Sequence, residues 1–386
     1  MRLLSYFTDF GIEYIMLKSF LRSMSVSMLI VGTMIGAGFA SGREIVTFFG
    51  EVPNAVVALI AGVLVFACSV LFLFVGRRVK KSDIGEVNGA VFGKCRALAD
   101  IFMLFNSVVV LGAMLAGTDS LVAEFIDLGP LPSIVIGILC AIISARGLKG
   151  LLKANAALVP IMVVVIAVAC ILAIEFPLKL FSARFAPHYV LLYVAMNMIL
   201  GGGVLTTVNN LSPREILLSS AVASAVISAL LMCITAALHS CSAAHADLPM
   251  LLVALKSGKV MYFVCLFVIG AAIFTTMLTA FKSLYDYLFG IVKYKWLTAA
   301  LVLASGLFVG AFGFSNVVGG YPIIGGIGLV YIACNIWYLI RTRVKRKVRR
   351  EAKKVKAKVR REAKKTGLGK TLRKARRESV KQIQSV

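Results

Sequence analysis

Four glycines fall within the eleven residues Gly32-Thr33-Met34-Ile35-Gly36-Ala37-Gly38-Phe39-Ala40-Ser41-Gly42. Each costs a helix roughly 1 kcal/mol against alanine, so the stretch is a poor continuous helix inside a strongly apolar segment. In a bilayer, unwound backbone leaves N–H and C=O groups that cost several kcal/mol each unless they face protein, water or a bound solute. The chemistry open to such a break is binding. Freed carbonyls of Gly32 and Ile35 can face a cation. Freed N–H groups of Gly36, Ala37 and Gly38 begin a second half-helix whose positive end suits a carboxylate or other anion. The competing reading is close helix packing through small residues.

A second glycine run, Gly201-Gly202-Gly203, is followed by Thr206, Thr207 and Asn209. Its backbone is expected to line the opposite wall of a site, with the polar side chains donating hydrogen bonds or serving as glue between helices. Further on, Ala272, Thr275 and Thr276 offer one carbonyl and two hydroxyls; with the carbonyls of Gly32 and Ile35 they make a set of hard oxygen ligands for one small cation. Threonines that bond back to their own helix are the alternative. Arg43 and Glu44 lie about 10 Å beyond Gly36 at the rise of a helix, and Asp119 falls on the same side. They read either as an outer gate, with Asp119 facing Arg43, or as charges that reach headgroups and water.

The elements that must position these groups are membrane helices. The 386 residues are 60% hydrophobic, and the mean hydropathy is +0.93. Ten apolar spans are expected: about 25–49, 54–76, 97–122, 130–145, 151–173, 188–211, 215–238, 259–289, 296–314 and 321–340. Basic residues cluster in the loops at Arg77–Arg96, Arg146–Lys153, Arg214 and Lys282–Lys295, which predicts cytoplasmic termini. The eight cysteines form no paired motif, and the three histidines have no ligand spacing. They exclude a disulfide framework or a metalloenzyme as readings of this pattern. No nucleophile–base or carboxylate pair is legible, and no cofactor is expected.

The centres of the first and sixth spans are about 165 residues apart, and spans two to five are offset from seven to ten by nearly the same amount. Glycine interrupts the first and sixth. An odd number of helices per half inverts the second copy, so the pattern predicts an all-α, five-plus-five inverted repeat with its site where the two broken spans meet.

From these residues the core, about 25–340, resembles the LeuT-type fold of the APC superfamily, with repeats at about 25–173 and 188–340. Gly32–Phe39 is similar to the unwound first helix of sodium:neurotransmitter symporters and amino-acid permeases, and Gly36–Ile45 is close to the YkvI-like family of bacterial membrane proteins. The resemblance implies a sodium site formed by Gly32, Ile35, Ala272, Thr275 and Thr276. Proton-coupled relatives place a lysine in this cavity, whereas residues 154–173 here contain neither Lys nor Arg, which favours sodium. Asn106 and Met103 occupy the middle of the third span where amino-acid symporters have a tyrosine, which sets this chain apart from them. Asn106 joins Gly36–Gly38, Gly201–Gly203, Thr206 and Asn209 as expected solute contacts. The implied function is cation-coupled secondary transport of a small polar or zwitterionic solute across the plasma membrane. The alternative is a sensor or anchor that works through its tail.

Residues 1–24 read as a cytosolic or interfacial extension, and 341–386 as a polybasic cytoplasmic tail. The tail holds 21 Lys/Arg and three Glu, a net +18 of the chain's +25. Lys347–Lys354 recurs intact as Lys358–Lys365, a period of eleven close to three helical turns. Such a tail attracts anionic lipid at about 1 kcal/mol per Lys/Arg near the surface, or acts as a solvated orientation signal. No specific nucleic-acid partner is expected, because no aromatic side chains interleave the charges.

Overall fold

The computed structural model describes the backbone of residues 2–50, 55–146, 151–175 and 187–365. Side chains are described for the same residues except 2–15, 145–146, 151–157, 200, 244, 350 and 356–365. Among them every regular element is helical. The first span comprises α1 (Arg2–Met34), α2 (Ala37–Ser41) and α3 (Arg43–Phe49). There follow α4 (Ala55–Val79), a short α5 (Ile84–Phe92), α6 (Arg96–Ala123), α7 (Leu131–Arg146) and α8 (Leu151–Ala173). The second half holds α9 (Pro187–Thr207), α10 (Pro213–Cys241), a short α11 (Pro249–Lys256), α12 (Lys259–Val292), α13 (Lys295–Gly310), α14 (Phe314–Gly319) and α15 (Tyr321–Lys365).

Among the described residues, five stretches are long and apolar enough to cross a membrane, and six if the bent α9 counts as one span. Three shorter apolar helices lie in α7, α8 and α13. With the interrupted first span these fit the ten expected crossings. The lipid-facing surface shows in the exposure of Phe267 at 76% and Phe308 at 71%, which an aqueous surface would not tolerate in such density. The two short helices stand at corresponding places in the two halves, α5 between the second and third spans and α11 between the seventh and eighth. That is what an inverted repeat produces.

Local chemistry sets the ends of these elements. Ser212 caps α10: its hydroxyl accepts the Glu215 N–H at 3.3 Å, while the Glu215 carboxylate accepts the Ser212 N–H at 2.7 Å. The other Glu215 oxygen accepts the Ser19 hydroxyl at 3.1 Å, which ties the start of α10 to α1. Asn88 holds α5 in place, donating to Asp100 at 3.0 Å and accepting from the Tyr331 hydroxyl at 3.3 Å.

Met1–Asn335 and Ile336–Val386 are separate compact units. The residues expected as an N-terminal extension belong to α1, which begins at Arg2. In the second unit, described side chains such as Val344, Val348 and Val355 are exposed. Residues 366–386 of the expected tail lie outside the described residues.

Candidate functional site

The helical ladder of the first span stops where the glycines predict. The Ile35 N–H donates to the Val31 carbonyl at 2.8 Å, and the next bond runs from the Ala40 N–H to the Gly36 carbonyl at 2.9 Å. Among the described residues, no backbone bond joins the carbonyls of residues 32–35 to the amides of 36–39. Gly36 is extended, with φ −94° and ψ −171°. Gly42 then takes φ +81°, a left-handed conformation suited to glycine, and separates α2 from α3.

The eighth span lies against this interruption. The Thr276 hydroxyl is 4.0 Å from where a Cβ on Gly36 would sit. The Thr275 hydroxyl donates to the Ala272 carbonyl at 3.2 Å, the bond back to its own helix that the sequence also allowed. Backbone carbonyl and hydroxyl oxygens are the hard donor types that small cations take.

The sixth span is interrupted at the expected glycines by a bend and not by lost bonding. It keeps helical bonding from Pro187 to Thr207 and bends by 49° between Ile199 and Gly201. The reason is packing. A Cβ on Gly201 would come 2.9 Å from Thr33, one on Gly202 2.7 Å from the Phe72 ring, and one on Gly203 2.7 Å from Met103. The three glycines thus let α9 approach the first, second and third spans at once. Gly201 against Thr33 sets the bend beside the break.

The other predicted residues have distinct places. Thr206 and Thr207 donate to the carbonyls of Gly203 and Val204 in their own helix, at 2.6 and 2.7 Å. Asn209 donates to the Lys81 carbonyl at 3.3 Å and the Ser82 hydroxyl at 3.2 Å, holding the connection after α4 and not the break. Asn106 is buried on α6. Asp119 accepts the Ser133 N–H at 2.8 Å, and Arg43 donates to the Ala246 carbonyl at 3.3 Å. The side chain of Lys153 lies outside those described.

Three residues escaped the sequence reading. Asp247 accepts hydrogen bonds from Ser120 at 3.0 Å and from Ser315, joining the loop before α11 to α6 and α14. Tyr193 and Tyr321 are buried and lie within electrostatic reach of Glu44. A tyrosine in the middle of an apolar span is the signal that could have flagged Tyr193, since its hydroxyl seeks a partner when buried. In this structure that hydroxyl has none, and neither has Oε2 of Glu44.

No family model matches the chain. It is 25% identical over 326 residues to Uncharacterized membrane protein YkvI of Bacillus subtilis (strain 168), covering 80% of this chain and 93% of that protein. Among solved structures, MhsT in complex with L-phenylalanine superposes with a TM-score of 0.59 at 14% identity, over 80% of this chain and 88% of that one. The chain is similar to YkvI in sequence and has the LeuT-type fold. A second relative is Uncharacterized protein YyaD of the same organism, 24% identical over 83% of this chain and 98% of that protein. A Na+-coupled sialic acid symporter in a substrate-bound outward-open state matches with a TM-score of 0.52 at 15% identity, over 82% and 78% of the two chains. These solved neighbours are membrane transporters and not enzymes.

Proposed function

We propose that this chain is a sodium-coupled secondary transporter of a small polar or zwitterionic solute, working by alternating access. The observation that carries this reading is the interrupted ladder at Ile35 and Gly36, with Thr276 against one side of it and the bend of α9 near the other. Freed backbone groups at membrane depth persist only where they face protein, water or a bound solute, and a transport site supplies the last two. Gly32, Ile35, Ala272, Thr275 and Thr276 would hold the ion. Its bound charge would stabilise the half-helix ends that also meet the solute. Of the expected solute contacts we keep Gly36, Ala37 and Asn106, because the faces of Gly38 and Gly201–Gly203 are taken up by Glu44, Thr33, Phe72 and Met103. The basic loops support a plasma-membrane protein with both termini in the cytoplasm, so Arg43 and Glu44 stand at the outer mouth and the basic end of α15 meets anionic lipid.

Thermal melting of the purified protein against a panel of small solutes, with and without sodium, tests the reading. A ligand should raise stability as RT ln(1 + [L]/Kd), by about 2.7 kcal/mol at a hundredfold excess over Kd. Thr275→Ala with Thr276→Ala should remove the sodium requirement, and stabilisation indifferent to both sodium and this change would refute the coupling. Deleting residues 345–386 should leave sodium-dependent stabilisation intact; its loss would favour a function seated in the tail.

A further inference from the structure

We propose that Glu44 is a proton-binding site whose occupancy governs closure of the outer mouth. The inference rests on the alternating-access reading but not on any solute. Glu44 is only 7% exposed, and its Oε2 is buried without a hydrogen-bond partner. Its carboxyl fills the space that a Cβ on Gly38 would need, so the bare backbone of α2 forms one wall of its pocket. From α9 comes Tyr193, and from α15 comes Tyr321. α10, which also packs on α3, carries Cys233, His239 and Cys241 in its outer half, while α2 and α14 bring no titratable group. Arg43 is adjacent in sequence, but neighbouring positions on a helix do not face each other, and its guanidinium reaches the Ala246 carbonyl.

An ionised carboxylate with a bare oxygen in such a place costs several kcal/mol. A proton removes that cost without needing room. A solute ammonium or a metal ion would need space beside Oε2, and that atom has almost no accessible surface. The segment over this pocket carries Asp247, with His245 just before it, and Asp247 ties it to Ser120 and Ser315. Met250 sits 3.0 Å from where a Cβ on Gly42 would be, and Arg43 holds the Ala246 carbonyl, so the loop from Ala246 to Met250 lies over the start of α3. Lifting it would admit water to Glu44 and let the carboxyl ionise. Closing it again requires the proton back. The sign is fixed: acid favours the closed mouth, alkali the open one.

The test uses the purified full chain and no solute. Infrared difference spectra between acid and alkaline buffer should contain a protonated-carboxyl C=O band that disappears in Glu44→Gln and shifts in Glu44→Asp. For accessibility, Ala246→Cys is introduced with the native cysteines replaced by alanine, and maleimide labelling is followed against pH with and without Glu44→Gln. The ratio of the two labelling rates cancels the thiol's own titration. It should rise with pH by up to about tenfold per unit, the limit for one coupled proton. A band untouched by Glu44→Gln, or a ratio flat in pH, overturns the proposal. Neither readout involves sodium or solute, so failure here leaves the transport test standing, and the reverse also holds.

Discussion

Gly328→Ala should leave little folded protein, while Gly326→Ala, two residues earlier on the same helix, should be tolerated. A Cβ on Gly328 would come 2.5 Å from the carbonyl carbon of Ala195 and 3.1 Å from the amide nitrogen of Met196. These are backbone atoms of α9 and cannot rotate away. One turn earlier, Gly325 presses on the Leu192 carbonyl oxygen at 2.5 Å, so α15 and α9 meet along a strip of main chain. To admit the methyl group the two helices must part over their whole contact. Overpacking a well-fitted core costs about 1–3 kcal/mol where side chains can adjust, and here they cannot. Lipid tails supply no hydrophobic force to press the helices back together, so the lost dispersion contacts are not recovered. Gly326 faces open space, and alanine there should gain roughly the helix-propensity difference of 1 kcal/mol. The yield of monodisperse protein on size exclusion, with melting temperature for the survivors, measures the contrast. Equal yields for the two variants would show that the α9–α15 contact is looser than described.

The same glycine chemistry explains what could be read in the sequence and what could not. The first interruption was legible because four glycines within eleven residues each weaken a helix against alanine, and the structure breaks the ladder there. The second run looks equivalent on paper. A glycine weakens a helix, but it also lets another chain approach, and only the partner decides which property is used. For Gly201, Gly202 and Gly203 the partners are Thr33, Phe72 and Met103, each about 100 or more residues away in sequence, so the local pattern could not distinguish unwinding from packing. Asn209 shows the same limit in a polar residue: its position near the run suggested a site, and its hydrogen bonds go to Lys81 and Ser82. The order and approximate extent of the spans followed from hydrophobic length, a one-dimensional property. α14 did not, because it depends on Gly313 taking φ +81° and on Asp247 reaching across to Ser315.

Gly38→Ala should impair the protein although alanine is the better helix former, and Glu44→Ala should partly restore it. Position 38 lies in α2, where by propensity alone the change is worth roughly 1 kcal/mol in favour of folding. The new methyl group, however, falls where the Glu44 carboxyl now sits. Glu44 cannot retreat at no cost. It is buried, with Tyr321 and Tyr193 within electrostatic reach, the latter packed on Phe48 and Phe49 at 5.4 and 5.0 Å. The displaced carboxyl must push its packed neighbours aside or swing α3 about Gly42, and the swing disturbs the seating of Met250 over that glycine. A net loss of about 1–3 kcal/mol is the expectation for such overpacking. Truncating Glu44 to alanine vacates the space, so the double variant should be more stable than Gly38→Ala alone. For residues in direct contact the coupling should fall within about 0.5–3 kcal/mol. Melting temperatures of the four proteins in one buffer complete the cycle. A coupling near zero would mean that the carboxyl and the α2 backbone do not share this space, and the account of how the outer half of the first span is held would have to be abandoned. The cycle also separates two roles of one side chain. Glu44→Gln keeps the volume and should not relieve Gly38→Ala, whereas it is the change that abolishes proton binding. Steric occupancy and charge at position 44 are thus read by different variants.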